Sequence, residues 1–198
     1  MRGRFKNVVL ALAVLATGLM PPRAFGEAID VEKTATIKAA YLLNFVRYTQ
    51  WPDDAFEAPD SPIVLTAVGD CEISRVLAEV VRRSEPINGR RVALQHAPYP
   101  ENDADRQEFW RSLDQSHLVF VCSVGPEPVD SIVERCGASK KLTVGDTPGF
   151  AADGGMLGFV FREGRIVFQA NPKAIQKSQV TVSAKVLKLA QIVGENAP

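Results

Sequence analysis

The order of apolar runs and helical patterns in the middle of the chain is the feature that most restricts the fold. Ile63–Val68 and Leu118–Cys122 are continuous apolar runs of strand length, typical of strands buried on both faces of a sheet. Further strands are predicted over Arg91–His96 and Lys141–Val144. Helices are predicted between these strands, because apolar residues recur every three or four positions in the first segment, acidic residues open the second and Gly137 ends the third. The predicted helices are Glu72–Arg83, Asp103–Asp114 and Pro126–Cys136. This alternation favours a mostly parallel sheet covered by helices on both faces.

Two more helices and a hairpin are predicted outside this region. Asp30–Tyr48 lacks proline and glycine and carries apolar residues on one face, which predicts a helix that ends before Pro52. Met156–Phe161 and Arg165–Ala170 are joined by a short turn and predict an antiparallel hairpin. Ser183–Val193 predicts a closing helix. The predicted fold class is α/β: a single three-layer α/β/α domain whose mixed, mostly parallel sheet of about five or six strands ends in an antiparallel hairpin.

The first 26 residues have the three parts of a cleavable secretory signal. Three basic residues precede the apolar run Val8–Met20, and Ala24–Gly26 offers small residues for cleavage. The run is shorter than the roughly 20 residues that a membrane-spanning helix needs. We therefore predict a signal peptide over residues 1–26 and an exported domain over residues 27–198. The alternative is an uncleaved anchor or a buried amino-terminal helix.

The charge of the exported chain argues against nucleic acid as a partner. The whole chain has 23 basic and 23 acidic residues, and residues 1–26 contain four basic and no acidic ones. The exported part therefore has 19 basic against 23 acidic residues, a net charge of −4. Such a chain lacks the basic surface that a phosphate backbone requires.

Three cysteines become relevant once the chain is exported, because disulfides persist outside the cytoplasm. Cys71 and Cys122 both follow predicted strands, so they can meet at one edge of the sheet, whereas Cys136 ends the helix after Cys122. We predict a Cys71–Cys122 bond. The alternative is that all three are buried, unpaired thiols.

Residues that carry catalytic chemistry are sparse. The two histidines, His96 and His117, flank predicted strands and have no catalytic or zinc-binding spacing, although adjacent strands could bring them together. The sequence also has no nucleophile elbow and no phosphate-binding glycine loop. We predict no catalytic residue, no cofactor and no metal site, and hence a protein that is not an enzyme.

Three residues are candidates for a partner or ligand surface. Asp70 and Asp146 each follow a predicted strand and should lie at the carboxyl edge of the sheet, where open α/β folds bind ligands. The alternative is that each aspartate caps a turn or a helix. Trp51 is an aromatic side chain that can anchor a partner or, alternatively, pack over the end of the first helix.

Five segments in the same order resemble the YfiR family of periplasmic proteins. They are Ala35–Phe45 followed by Trp51-Pro52, Leu142–Asp146, Phe150–Met156, Phe168–Asn171 and Ser183–Ala190. The resemblance implies a non-enzymatic regulator in the periplasm of a Gram-negative bacterium. It implies that the protein binds the periplasmic domain of an inner-membrane diguanylate cyclase and holds the cyclase inactive. It further implies release by an outer-membrane OmpA-like lipoprotein, and a possible homodimer.

The expected function is therefore repression of a diguanylate cyclase from the periplasm, which lowers cyclic-di-GMP signalling. The alternative function is a periplasmic sensor that binds a small molecule at the carboxyl edge, near Asp70, Cys122 and Asp146. Ligand-induced stabilisation of the folded state distinguishes the two, because a ligand that binds only the folded protein raises its free energy of unfolding.

Overall fold

A seven-stranded sheet forms the centre of the computed structural model, which describes residues 31–122 and 124–194. Its strands are β2 (Ile63–Val68), β3 (Val92–Ala97), β4 (Leu118–Val121), β5 (Leu142–Gly145), β6 (Leu157–Arg162), β7 (Arg165–Ala170) and β9 (Gln191–Ile192). A separate pair is formed by β1 (Thr49–Gln50) and β8 (Thr181–Val182). The helices are α1 (Val31–Arg47), α2 (Glu72–Arg82), α3 (Asp103–Asp114), α4 (Pro126–Cys136), α5 (Pro172–Lys177) and α6 (Ala184–Leu187). The predicted signal peptide, residues 1–26, lies outside the described residues.

The strand order across the sheet is β3-β2-β4-β5-β6-β7-β9. The first five strands of this order are parallel, and β7 returns antiparallel to β6. The turn between β6 and β7 has positive φ angles of 50° at Glu163 and 75° at Gly164. Positive φ at both central residues is the backbone that matches the twist of a two-residue hairpin. The mixed, mostly parallel sheet with a terminal hairpin is as predicted, and β9 extends it beyond the six predicted strands.

Helices cover both faces of the sheet, and successive side chains of β4 show the two layers. Leu118 and Phe120 belong to the core on the side of α1 and α2, whereas Val119 and Val121 belong to the core on the side of α3 and α4. All four side chains are fully buried. Successive residues of a strand point to opposite faces, so a continuous apolar run is what a strand between two helical layers needs. The predicted three-layer α/β/α fold is confirmed.

Helix α1 packs a regularly spaced row of small and large apolar residues against this sheet. Ala35, Ala39, Leu42 and Val46 are buried and recur at intervals of three and four residues, which keeps them on one face of the helix. The neighbouring Phe45 packs against aromatic rings of the hairpin. The carboxyl-terminal end of α1 is therefore fixed beside β7.

The predicted helix over Ser183–Val193 is wrong beyond its first turn. Ser183 caps α6 by accepting a hydrogen bond from the Lys185 amide at 3.3 Å, but the helix ends at Leu187. The chain then extends, and the Val193 amide donates to the Ala170 carbonyl of β7 at 2.9 Å. Backbone hydrogen bonds to the open edge of the sheet take the place of the hydrogen bonds that a longer helix would form. None of the described helices is long and apolar enough to cross a membrane.

Candidate protein-binding surface

Asp70 and Asp146 lie at the carboxyl edge of the sheet, as their positions after strands predict. Asp70 follows β2 and is exposed, whereas Asp146 follows β5 and accepts a hydrogen bond from the Lys38 ammonium of α1. Strand β4 separates the two strands that these residues follow. The Asp146 carboxylate is thus engaged in tying α1 to the sheet, while Asp70 faces solvent.

The disulfide bond lies at the same edge. Cys71 and Cys122 are bonded, with their Cα atoms 6.3 Å apart, so the predicted pairing is the one that the structure contains. It links the start of α2 to the end of β4. The third cysteine, Cys136, is free and buried, and burial raises the pKa of its thiol to about 11. A thiol that stays protonated at neutral pH is a poor nucleophile.

Trp51 lies at the opposite, amino edge of the sheet. Its indole Nε1 donates to the carbonyl of His117 at 3.1 Å, and His117 immediately precedes β4. The two rings meet edge to face, with centroids 6.1 Å apart. The structure therefore does not bring Trp51 together with Asp70 and Asp146. The sequence could not reveal this, because Trp51 follows a helix and its distance from either edge depends on how that helix packs.

His117 is held as a neutral ring by two backbone groups. Its Nδ1 accepts from the Val64 amide and its Nε2 donates to the Ala55 carbonyl, each at 3.1 Å. The Phe56 ring stacks on the imidazole at 4.4 Å between centroids, and the Arg90 guanidinium lies 3.7 Å from the Phe56 centroid. Burial lowers the pKa of His117 to about 4. The ring is a structural link between loops at the amino edge.

The two histidines do not meet. His96 is near the end of β3 and its Nε2 contacts the carbonyl of Gly69 at 3.0 Å, at the carboxyl edge. His117 lies at the amino edge. Within residues 31–122 and 124–194, no group of three or more His, Cys, Asp or Glu side chains is placed to hold a metal ion.

An apolar groove lies between the end of α1, strand β7 and α6. We call it the aromatic groove, and it encloses about 160 Å³. Its lining residues are Tyr41, Asn44, Phe45, Tyr48, Phe168, Lys185, Val186 and Leu189. Phe45 and Phe168 meet edge to face at 5.0 Å and form its floor, while Leu189 is 75% exposed at its margin. Tyr48 also projects into solvent, 38% exposed.

A second concavity adjoins the aromatic groove, because Tyr48 lines both. This Trp51 pocket encloses about 440 Å³, and its wall includes Trp51, Phe56, Arg47 and Asn88. Aromatic side chains and arginine are the residues most enriched at the centres of protein interfaces. The groove and the pocket together form one concave, aromatic surface at the carboxyl-terminal end of α1.

Sequence reasoning found Trp51 but not the aromatic groove. Leu189 lies within the predicted helix Ser183–Val193, whereas the helix of the structure ends at Leu187 and Leu189 is exposed. In the sequence, Leu189 is the residue that could have indicated the groove, because it lies between Lys188 and the residues that pair with β7. A lysine-flanked leucine near a chain terminus is a weak pattern, so only the packed structure identifies the groove.

Comparison with known proteins gives the family. The model of the YfiR/HmsC-like family matches residues 35–191. A conserved domain protein of Vibrio cholerae O1 biovar El Tor has a similar fold, with a TM-score of 0.55 at 12% identity. The match covers 81% of this chain and 60% of the Vibrio chain, and no curated protein matches the sequence. The family match covers most of the chain and includes the groove and the disulfide, so the chain belongs to the YfiR/HmsC-like family, known in general as periplasmic regulators.

Proposed function

We propose that this protein represses an inner-membrane diguanylate cyclase by binding the cyclase's periplasmic domain, and so lowers cyclic-di-GMP signalling. Membership of a family of regulators supports a role in binding. The predicted signal peptide supports a periplasmic location for that binding. Repression of this kind needs surface complementarity and no chemical turnover.

The aromatic groove is the observation that carries the proposal. Leu189 and Tyr48 expose apolar surface beside a concave floor, and burying such surface is favourable by roughly 25 cal/mol per Å². Lys185 lines the groove, and Arg47 lines the adjoining Trp51 pocket. An apolar side chain next to an acidic residue is therefore the partner chemistry that fits this surface.

Two further assemblies belong to the proposal. An outer-membrane OmpA-like lipoprotein would relieve repression by sequestering the protein from the cyclase. A homodimer would present two copies of the binding surface. Both rest on the family resemblance.

The alternative, a small-molecule sensor at the carboxyl edge, is supported less well. The Asp146 carboxylate already accepts from Lys38, and the disulfide closes the turn after Asp70. A ligand at the carboxyl edge would have to compete with the ion pair between Lys38 and Asp146.

The test is the level of cyclic-di-GMP in cells that lack the gene. We expect deletion to raise this level, wild-type protein to restore the low level, and protein without residues 1–26 to fail. Leu189→Asp should also fail, because a charge in the aromatic groove opposes burial. The matched control is Phe161→Asp, since Phe161 is 49% exposed but lines neither the groove nor the Trp51 pocket.

Each result decides a separate part of the proposal. An unchanged cyclic-di-GMP level after deletion would remove the cyclase as the target. Full repression by Leu189→Asp, at a periplasmic abundance equal to wild type, would show that the partner binds elsewhere.

A further inference from the structure

A polar cleft opens at the amino edge of the sheet, on the side away from the disulfide. It encloses about 530 Å³, within the range of roughly 300–1,000 Å³ that is common for small-molecule sites. Its wall includes Gln95 of the edge strand β3, Ser116 and His117 before β4, and Lys141 before β5. The cleft is separate from the aromatic groove and from the Trp51 pocket, whose linings it does not share.

Lys141 is the unusual residue of this cleft. Its side chain is buried, with 7% of the residue exposed, and its ammonium donates to the Ser139 carbonyl at 3.3 Å. None of the described carboxylates lies within ion-pair distance of it. An ammonium has three donors, and burying one without an anionic partner is costly. Burial accordingly lowers the pKa of Lys141.

The acidic residues of the cleft are either paired or at its rim. Asp54 accepts from Lys140 at 2.6 Å, and Asp114 accepts from Arg135 at 2.7 Å. Glu57 is exposed.

Arg111 lines the same cleft and makes no ion pair with another described residue. The lining has three cations and three carboxylates, so its own charges balance; they are Arg111, Lys140 and Lys141, and Asp54, Glu57 and Asp114. Because Arg135 pairs with Asp114 from outside the lining, the side chains in and around the cleft carry one positive charge in excess, which favours a ligand with one negative charge.

Among the polar side chains His117, Ser116 and Gln95 of the wall, only Gln95 keeps a free donor. Both ring nitrogens of His117 are used by backbone groups. Ser116 Oγ donates to the Ser112 carbonyl at 2.8 Å and contacts Thr66 Oγ1 at 2.6 Å. The Gln95 carbonyl oxygen accepts from Thr66, which leaves the Gln95 amide nitrogen as a donor. One free amide donor near two cations that lack a carboxylate partner in the described part of the chain suits an oxyanion.

We propose that this cleft binds a small monoanion that carries a carboxylate or a phosphate group, with Lys141 as its buried counter-ion and Arg111 at its mouth. The ligand supplies the acceptors that Lys141 lacks. The proposal is independent of the cyclase and adds a ligand site to a protein-binding regulator, at the edge opposite to Asp70 and Asp146.

The experiment is an amide-resolved NMR titration of the exported chain at pH 6.0. Sodium acetate and monobasic sodium phosphate are the two probes, and sodium chloride at equal ionic strength is the reference. We expect one or both probes to give saturable shifts at Gln95, Ser116 and Lys141. The probe whose shifts saturate at the lower concentration identifies the ligand group, a carboxylate for acetate or a phosphate for monobasic phosphate.

Variants separate a built site from general attraction of anions. Lys141→Met keeps the length of the side chain and removes the charge, and we expect it to weaken binding at least tenfold. Lys188→Met, on the exposed end of α6, should leave the dissociation constant within twofold of wild type. Arg111→Gln changes an exposed residue and should weaken binding several-fold, which keeps the test decisive if Lys141→Met disturbs the fold.

Two results would overturn the proposal. One is the absence of saturable shifts beyond those of chloride for both probes. The other is an unchanged dissociation constant in Lys141→Met, or in Arg111→Gln where Lys141→Met does not fold.

Discussion

The indole nitrogen of Trp51 donates a hydrogen bond to the backbone carbonyl of His117, 3.1 Å away. The same carbonyl accepts from the Leu142 amide at 2.9 Å. One carbonyl oxygen therefore connects the segment after α1, the start of β4 and the start of β5. Trp51 is both a wall of the Trp51 pocket and a support of the amino edge.

Trp51→Phe tests the structural part of this role. The change removes one hydrogen bond, and we expect a loss of about 1 kcal/mol in the free energy of unfolding, because Leu142 still satisfies the carbonyl. Trp51→Ala also removes buried ring surface and should cost roughly 3 kcal/mol. Urea unfolding of both variants measures these losses. Equal stability of wild type and both variants would mean that Trp51 contributes only to partner binding.

His117 should make the protein less stable in mild acid. Its pKa is about 4 in the folded state against an ordinary value of 6.5. Its contribution to stability is therefore complete above pH 6.5 and decreases as the pH falls toward 4, by up to about 1.4 kcal/mol per pH unit. Urea unfolding at pH 7.0, 5.5 and 4.5 measures the decrease.

The variant that tests this pH dependence is His117→Asn, with wild type as its reference. His117→Asn removes the titrating ring, so its stability should fall less steeply between pH 7.0 and 4.5 than that of wild type. Identical slopes in wild type and His117→Asn would contradict the assignment of His117 as the acid-sensitive group.

The disulfide should provide a large share of the stability. Its cysteines are 51 residues apart, and closing a loop of that length stabilises by about 4 kcal/mol in the chain-entropy model. The double variant Cys71→Ser/Cys122→Ser should lose about that much, and reducing agent should destabilise wild type equally. Cys136→Ser keeps the bond and should still respond to reducing agent. Equal stability of oxidised and reduced wild type would argue that the bond restrains little of the unfolded chain.

The sequence predicted best where local signals and tertiary structure agree. Asp103–Asp114 is a helix at its predicted bounds, and Asn102 caps it by accepting from the Asp105 amide at 3.1 Å. Ile63–Val68 is likewise a strand at its predicted bounds, because its continuous apolar pattern suits burial on both faces. In both segments, the residues that set the structure lie within or beside the element.

The prediction failed where contacts with a distant part of the chain determine the local structure. The spacing in Ser183–Val193 fits a helix, but the open edge of β7 offers hydrogen bonds to Val193 that no local pattern encodes. The aromatic groove depends on this outcome, since its exposed Leu189 lies in the segment that follows the short α6. The cleft around Lys141 is also non-local, as it combines residues before β2, β4 and β5 with the edge strand.

Gly69 allows the turn after β2 to pass against the chain at Cys122, beside the disulfide. Its φ is +87°, and a Cβ placed there would lie 1.9 Å from the Cys122 carbonyl oxygen. Gly89 has a similar φ of +79° but no atom within 4 Å of such a Cβ. A side chain would therefore strain the backbone at either glycine, but only at Gly69 would it also overlap neighbouring atoms.

Gly89→Ala should therefore cost about 1 kcal/mol, which is the penalty for a side chain at positive φ. Gly69→Ala should cost several kcal/mol more, because the backbone near Cys122 must move to remove the overlap. Urea unfolding under oxidising conditions measures both losses, and a thiol assay shows whether the Cys71–Cys122 bond still forms in Gly69→Ala. Equal losses in the two variants would show that the turn after β2 can shift freely, and that contact with the Cys122 carbonyl does not fix its position.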